Sequence, residues 1–200
     1  MLRMGIHALA PQPGTSKRAP GHKIHPYLLR KLSITRANHV WALDTTYIPM
    51  ARGFVYLTAV VDVASRMVLA HKVAITLEAC HAKEVLEAAF ARYGTPEIVN
   101  TDQGSQFTAL EFTDAVLARG CKLSMDGRGA WRDNVFVERI WRSVKYERVY
   151  LNAYEAVSAA RADIADYLYW YNTQRPHSRL ERLTPHERYL QALPRLALAA

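Results

Sequence analysis

The first 43 residues contain no aspartate or glutamate, and the 200-residue chain has two cysteines. Neither cysteine has a CxxC or His-x-His companion, so neither a zinc site nor a disulfide framework is expected, and Cys80 and Cys121 read as reduced core residues. No stretch of eighteen apolar residues occurs, which argues against a membrane-spanning helix. The N-terminal MLRMGIHALAPQPG has an apolar part too short and too Pro-broken for a secretory signal. A soluble cytoplasmic protein is expected, and no internal repeat is found.

What is present is charge of one sign at one end. Of the formal +8, seven positive charges come from Arg3, Lys17, Arg18, Lys23, Arg30, Lys31 and Arg36, and the rest of the chain is close to neutral. A basic arm on a neutral body gains affinity for a polyanion by releasing counterions; a solvated basic tail has the same composition. Pro11, Pro13, Gly14, Pro20, Gly21 and Pro26 prevent a long regular element there. Residues 1–36 are therefore expected as a linker or arm, 37–192 as one core domain with C-terminal helices, and 193–200 as a tail.

From Val40 the pattern becomes VWALDTTYI, FVYLTAVVD and RMVLAHKVAI, three strands with short connections that predict an antiparallel meander. LEACHAKEVLEAAFARY follows as an amphipathic helix, with Thr76 as candidate N-cap and Gly94-Thr-Pro96 as its stop. The strand EIVNTD, a helix opened by a Thr108-x-x-Glu111 capping box and closed by Gly120, and the strand CKLSM form a parallel unit. Helices are expected from about Asn134 to Tyr150 and from about Tyr154 to Asn172, and Thr184-Pro185-His-Glu187 opens a short last one. The sum is an α/β fold: a mixed five-stranded sheet with helices on both faces.

Three acids stand out. Asp44 lies in the middle of the first strand, on the face shared with Val40, Ala42, Thr46 and Ile48. Asp102 ends the fourth strand, at the carboxyl edge where ligands collect in open α/β sheets. Glu138 lies one turn into a helix, on a stripe with Arg142 and Lys145, while Val137, Ile140, Trp141 and Val144 can pack inward. Converging carboxylates repel unless a hard cation neutralises them, and Mg²⁺ favours a site of few carboxylates and retained waters. An isolated acid is more often a surface charge or a cap, and the 35 residues between Asp102 and Glu138 are weak evidence alone.

The flanks of these acids, WALDTTYIP, the D-x-x-SR of Asp62 to Arg66, NTDQGSQFT, SMDGRGAWRDNVFVERIWRSVKYE, YNTQRPHSRL and TPHERY, resemble the integrase-core transposases of bacterial insertion sequences, relatives of retroviral integrases. The resemblance implies a ribonuclease-H-like fold and a catalytic, metal-binding triad of Asp44, Asp102 and Glu138. It implies two Mg²⁺ ions, with Mn²⁺ as substitute, and phosphodiester cleavage followed by 3′-OH strand transfer into target DNA. Lys145, seven positions after Glu138, is implied as a DNA contact near the scissile phosphate, with Arg142 on the same stripe; a solvated helical lysine is the plain alternative. Asn134 and the Gly104-Ser105-Gln106 loop are expected to line the site, although Asn134 is equally placed to cap its helix.

Arg128, Trp131 and Arg132, in the Gly-rich loop before that helix, could reach phosphates or stack on a base, or simply connect. Asp62 accompanies Ser65 and Arg66 and is assigned a structural hydrogen-bonding role. His22 and His25 lack the CxxC of an integrase zinc module, so no structural zinc is expected. Partners implied are DNA, further copies of this chain, and a companion helix-turn-helix protein or upstream segment, with association to the bacterial nucleoid when DNA is bound. Two alternatives stay open: a ribonuclease-H-like nuclease without strand transfer, and an inactive DNA-binding remnant.

Overall fold

The first strand, β1 (Val40–Pro49), forms the middle of the sheet because its side chains alternate between two apolar layers. The computed structural model describes residues 23–127 and 135–194. β1 pairs antiparallel with β2 (Phe54–Asp62), which pairs antiparallel with β3 (Val68–Ala74). On its other edge β1 pairs parallel with β4 (Ile98–Thr101), and β4 with β5 (Lys122–Met125), giving the order β3-β2-β1-β4-β5. The mixed sheet read from the sequence is thus observed, meander and parallel unit included.

Val40, Ala42 and Ile48 join one core layer, built with α4 (Val135–Glu147) and α5 (Val157–Thr173). Trp41 and Leu43 join the opposite layer, built with α1 (Ala79–Tyr93) and with Phe112 and Val116 of α3 (Leu110–Leu117). Tyr189 and Ala192 of α6 (Pro185–Ala192) close that second layer. Burying apolar side chains on both faces of one sheet is the main stabilising term of such a three-layer fold.

Two expected helix starts fail. α1 begins at Ala79 with no side-chain cap, because the Thr76 hydroxyl is engaged with His81 Nε2 at 3.1 Å. The Thr108-Glu111 box does not form either: Thr108 ends a one-turn helix, α2 (Ser105–Thr108), and its hydroxyl bonds back to the Gly104 carbonyl at 3.1 Å. The Thr184-Glu187 box does form, with both reciprocal bonds present. α5 starts at Val157 rather than Tyr154 because the Tyr154 ring is buried and its hydroxyl donates to Asp163. The helix expected to run to Tyr150 stops at Glu147 and is followed by a 3-10 turn, Val149–Leu151.

Residues 23–36 carry no helix or strand, yet Leu28, Leu29, Leu32 and Ile34 pack against the α4/α5 layer. Leu28 N–H also donates to Ser124 Oγ at 3.0 Å. Cys121 is buried as expected, but Cys80 is partly exposed at the start of α1, so its reading as a core residue is corrected. Among the described residues no helix is long and apolar enough to cross a membrane.

Candidate active site

Backbone register brings two of the three acids together. β1 and β4 pair as Val40 with Ile98, Trp41 with Val99 and Ala42 with Asn100. Continued by two residues, the same register sets Asp102 opposite Asp44, and directly paired residues of parallel strands share a face. The ladder stops at that level because the chain turns at Asp102, whose Oδ1 accepts from Gly104 N–H at 2.8 Å. Gly104 is needed there: a Cβ would lie 2.9 Å from Asp102 Oδ1 and 2.8 Å from the Gln106 amide.

Beneath the turn is a buried polar network absent from the sequence reading. Asn100 Nδ2 donates to Asp126 Oδ1 at 2.9 Å, Ser124 Oγ donates to Asn100 Oδ1 at 2.8 Å, and Gln103 Nε2 donates to the Asp126 carbonyl at 2.7 Å. This network ties the ends of β4 and β5 together and so holds the position from which Asp102 projects. An Asn inside one apolar strand and an Asp directly after another were the signal, since such groups are seldom buried without partners.

Asp44 is held from two sides. Thr45 N–H donates to its Oδ1 at 2.7 Å, and Trp141 Nε1 of α4 donates to its Oδ2 at 2.8 Å. Burial, then the neighbouring Asp102 and more weakly Glu138, outweigh these bonds and push the Asp44 carboxyl up to about 7. Burial likewise raises Asp102, against the opposing Gly104 bond. Two half-buried carboxylates this close together favour protonation of one member.

α4 presents its apolar stripe, Val137, Ile140, Trp141 and Val144, to the sheet. Glu138 is exposed on the next stripe, close enough for its charge to act on Asp44. Lys145 is partly buried further along; burial lowers its ammonium and the Asp44 charge opposes that. Arg142 is exposed, with its guanidinium 5.8 Å from the Tyr146 ring centre. Among the described residues, no three His, Cys, Asp or Glu side chains stand together closely enough to hold a metal ion. The structure therefore joins Asp44 and Asp102 and leaves the Glu138 side chain outside their immediate group.

Arg128, Trp131, Arg132 and Asn134 lie outside the described residues. Gln106 is buried behind Asp102, whereas Ser105 is exposed. Asp62 is structural as expected: it is fully buried and accepts from Ser65 N–H at 2.9 Å, Ser65 Oγ at 2.6 Å and Asn38 N–H at 2.8 Å. Trp141 was read as packing alone; nothing in its spacing distinguishes an indole that also donates to a carboxylate.

A three-layer mixed sheet with paired carboxylates where β1 and β4 diverge defines the class: the ribonuclease-H-like fold of integrase catalytic cores. The chain matches the integrase core domain family over residues 34–130 and again over 119–185, and it belongs to that family. It is 31% identical over 166 residues to the transposase for insertion sequence element IS904 of Lactococcus lactis, covering 81% of this chain and 66% of that protein. It is 29% identical over 193 residues to transposase InsF for insertion sequence IS3A of Escherichia coli, covering 94% of this chain and 67% of that protein. The chain thus spans about two thirds of the length of these curated relatives.

Among solved structures, the HTLV-2 integrase catalytic core domain in complex with magnesium aligns at TM-score 0.64 and 20% identity, over 79% of this chain and 99% of that one. The catalytic core domain of BIV integrase aligns at TM-score 0.61 and 23% identity, over 77% and 95%. These two likenesses establish the shared fold.

Proposed function

We propose that the chain is the catalytic core of a DNA transposase, which hydrolyses a phosphodiester at an element end and joins the freed 3′-OH to target DNA. The observation that carries this is the register that sets Asp102 opposite Asp44, with burial and the neighbouring Asp102 charge raising the Asp44 carboxyl to about 7. Asp44, Asp102 and Glu138 are the proposed catalytic and metal-binding residues, Glu138 completing the set from α4. An all-oxygen, carboxylate-rich donor set suits Mg²⁺, with Mn²⁺ as substitute and two ions as the stoichiometry. Such ions would supply charge neutralisation at the scissile phosphate and activation of the attacking hydroxyl.

The chain's own residues prepare that site. Trp141 fixes the rotamer of Asp44 from α4, Gly104 N–H fixes that of Asp102, and preset donors of this kind spare reorganisation at the moment of reaction. Lys145 offers a cation beside Asp44 that can meet DNA near the reacting phosphate, with Arg142 one turn before it. Arg128, Trp131, Arg132 and Asn134, in the segment preceding α4, are proposed to contact DNA. Because two element ends must be held together for transposition, a homo-oligomer is proposed, with a helix-turn-helix segment or companion protein recognising the ends.

The test supplies the chain with duplexes carrying pre-cut 3′-OH ends of its own element and Mg²⁺, and follows joined products on a gel. Joining by the wild type and none by D44A, D102A or E138A, each with an unchanged circular dichroism spectrum, is expected. Wild-type joining by any one of the three overturns its place in the triad; hydrolysis without joining makes the chain a nuclease.

A further inference from the structure

We propose that the groove between α4 and the turn at Arg175–Leu180 is a second anion site, built to hold a backbone phosphate of the bound DNA outside the acidic pair. It deepens the transposase reading and rests on it. The groove encloses about 560 Å³ and, among the described residues, has no acidic one in its lining; Arg66, Arg139, Arg142 and Arg179 all face it. Among the described residues none of these four arginines forms an ion pair. A fifth, Arg175, is occupied by Glu147, which also accepts from Tyr167 Oη at 2.8 Å.

Two buried polar atoms in the groove have no hydrogen-bond partner: Arg66 Nε and His177 Nε2. Leaving buried polar atoms unpaired is costly, so orphaned groups of this kind point to a ligand. Arg66 sits in the left-handed region at φ 66, with its guanidinium 3.8 Å from the centre of the Phe136 ring. A bulky residue held in that conformation carries strain, which persists where the surroundings impose it. Burial, reinforced by Arg139 and Arg179, lowers the Arg66 guanidinium to about 10. Burial, with Arg175 and Arg66, lowers the His177 imidazole to about 4, so the ring is neutral.

The walls are set without a ligand. Asn172, at the end of α5, brackets the first residue of β3, donating to the Val68 carbonyl at 2.8 Å and accepting from Val68 N–H at 3.0 Å. The Arg175–Glu147 pair fastens the turn to the end of α4, and the His177 ring stands edge-on to Tyr171 at 4.8 Å. Guanidinium groups converging on a preformed hollow match a phosphate, which accepts paired N–H donors and supplies the missing charge. DNA is the source favoured by position: Arg139 follows Glu138 on α4, and Arg142 lies roughly 6 Å beyond Glu138 along the helix axis. A strand reacting at the acidic site therefore passes the mouth of this groove.

The test uses the full chain as E138Q, which removes cleavage, and a short fluorescein-labelled duplex followed by anisotropy over a salt series. R139Q with R179Q, both exposed positions, is compared with R92Q with R119Q, an equal loss of charge on the α1/α3 side of the sheet. The groove pair is expected to weaken binding about ten-fold beyond the control and to make the salt slope shallower by about 1. The Arg66 Nε–Hε NMR signal is expected to move when the duplex is added. Groove and control pairs behaving alike overturns this proposal and leaves the DNA reading standing. A parent chain that ignores the duplex at all salt concentrations overturns both.

Discussion

The two halves of the candidate site are built differently. Asp44 and Asp102 stand on the sheet, where strand register sets their spacing and flanking N–H donors fix their rotamers. Glu138 stands on a helix, exposed, attached to the pair through the Trp141 indole that donates to Asp44. The sheet half is therefore preassembled and carries electrostatic strain, whereas the helix half carries a charge that costs little until a cation draws it in. On the proposed reading, strain in one half and freedom in the other would let the site take up metal only when all three acids converge.

The largest expected effect separates these halves directly. D102N and E138Q should both abolish Mg²⁺-dependent joining, but their metal-free stabilities should diverge. D102N removes the charge that helps raise Asp44 and should increase Tm at pH 8 by a few degrees, roughly 2–4 °C per kcal/mol relieved in a chain of this size. E138Q, whose charge acts on Asp44 more weakly, should raise Tm by less. Equal Tm values for D102N and wild type in a metal-free melt would remove the claim that the pair is strained.

G104A comes next. Its Cβ would crowd Asp102 Oδ1 and the Gln106 amide while leaving an ordinary backbone conformation, so the loss should fall on function. A displacement of the order of 1 Å at a ligand costs about 10²-fold in rate. Strand transfer reduced to that degree with a near-native melt is expected; full activity would show that the turn does not position Asp102.

Much of the sheet half was legible in the sequence because strands alternate and a carboxylate on the apolar face of such a pattern is conspicuous, as at Asp44. Asp102 was legible because it ends a short apolar run before a Gly-containing turn. The polar network of Asn100, Ser124 and Asp126 was not, since its partners lie on two strands whose register no single segment specifies. Helix starts were read less well. Thr76 and Thr108 fit the capping pattern but found other partners, His81 and the Gly104 carbonyl, whereas Thr184 with Pro185 behind it capped as expected. A local pattern predicts a cap when no tertiary partner competes for the hydroxyl. The groove itself was invisible for a related reason: Arg66 and His177 are more than a hundred residues apart and line one hollow, with Asn172 pinning the end of α5 to β3.

The pH response tests the strain without mutation. The folded protein holds the Asp44 proton up to about pH 7, whereas an aspartate at its ordinary value of 3.8 loses it far earlier. The folded state therefore binds more protons across that window, and metal-free stability should fall as pH rises from about 4 to about 7. If, as proposed, Mg²⁺ binds the ionised pair, it should raise Tm more at pH 8 than at pH 6. A Tm insensitive to Mg²⁺ at pH 8 would dissociate the acidic pair from metal binding.

W141F sharpens the link between the halves at smaller amplitude. Losing the indole N–H removes a bond to the ionised carboxylate, at a cost of roughly 1.5–3 kcal/mol, and should push the Asp44 carboxyl higher still. Mg²⁺ affinity at pH 7, followed by calorimetry, should fall while affinity at pH 9 recovers. Affinity that is lost equally at both values would mean that the ring serves α4 packing alone.

T184A supplies the smallest change and the reference for the others. Its side chain caps α6 by accepting from Glu187 N–H at 3.2 Å, on the layer opposite α4, and replacing such a cap with alanine costs about 1 kcal/mol. The loss should be the same at pH 5 and pH 8 and the same with and without Mg²⁺, because nothing that titrates at the acidic pair touches that helix start. A cap variant whose deficit grew with pH would show that the strain ascribed to Asp44 and Asp102 is shared by the whole fold, and the contrast between the sheet and helix halves of the site would lose its basis.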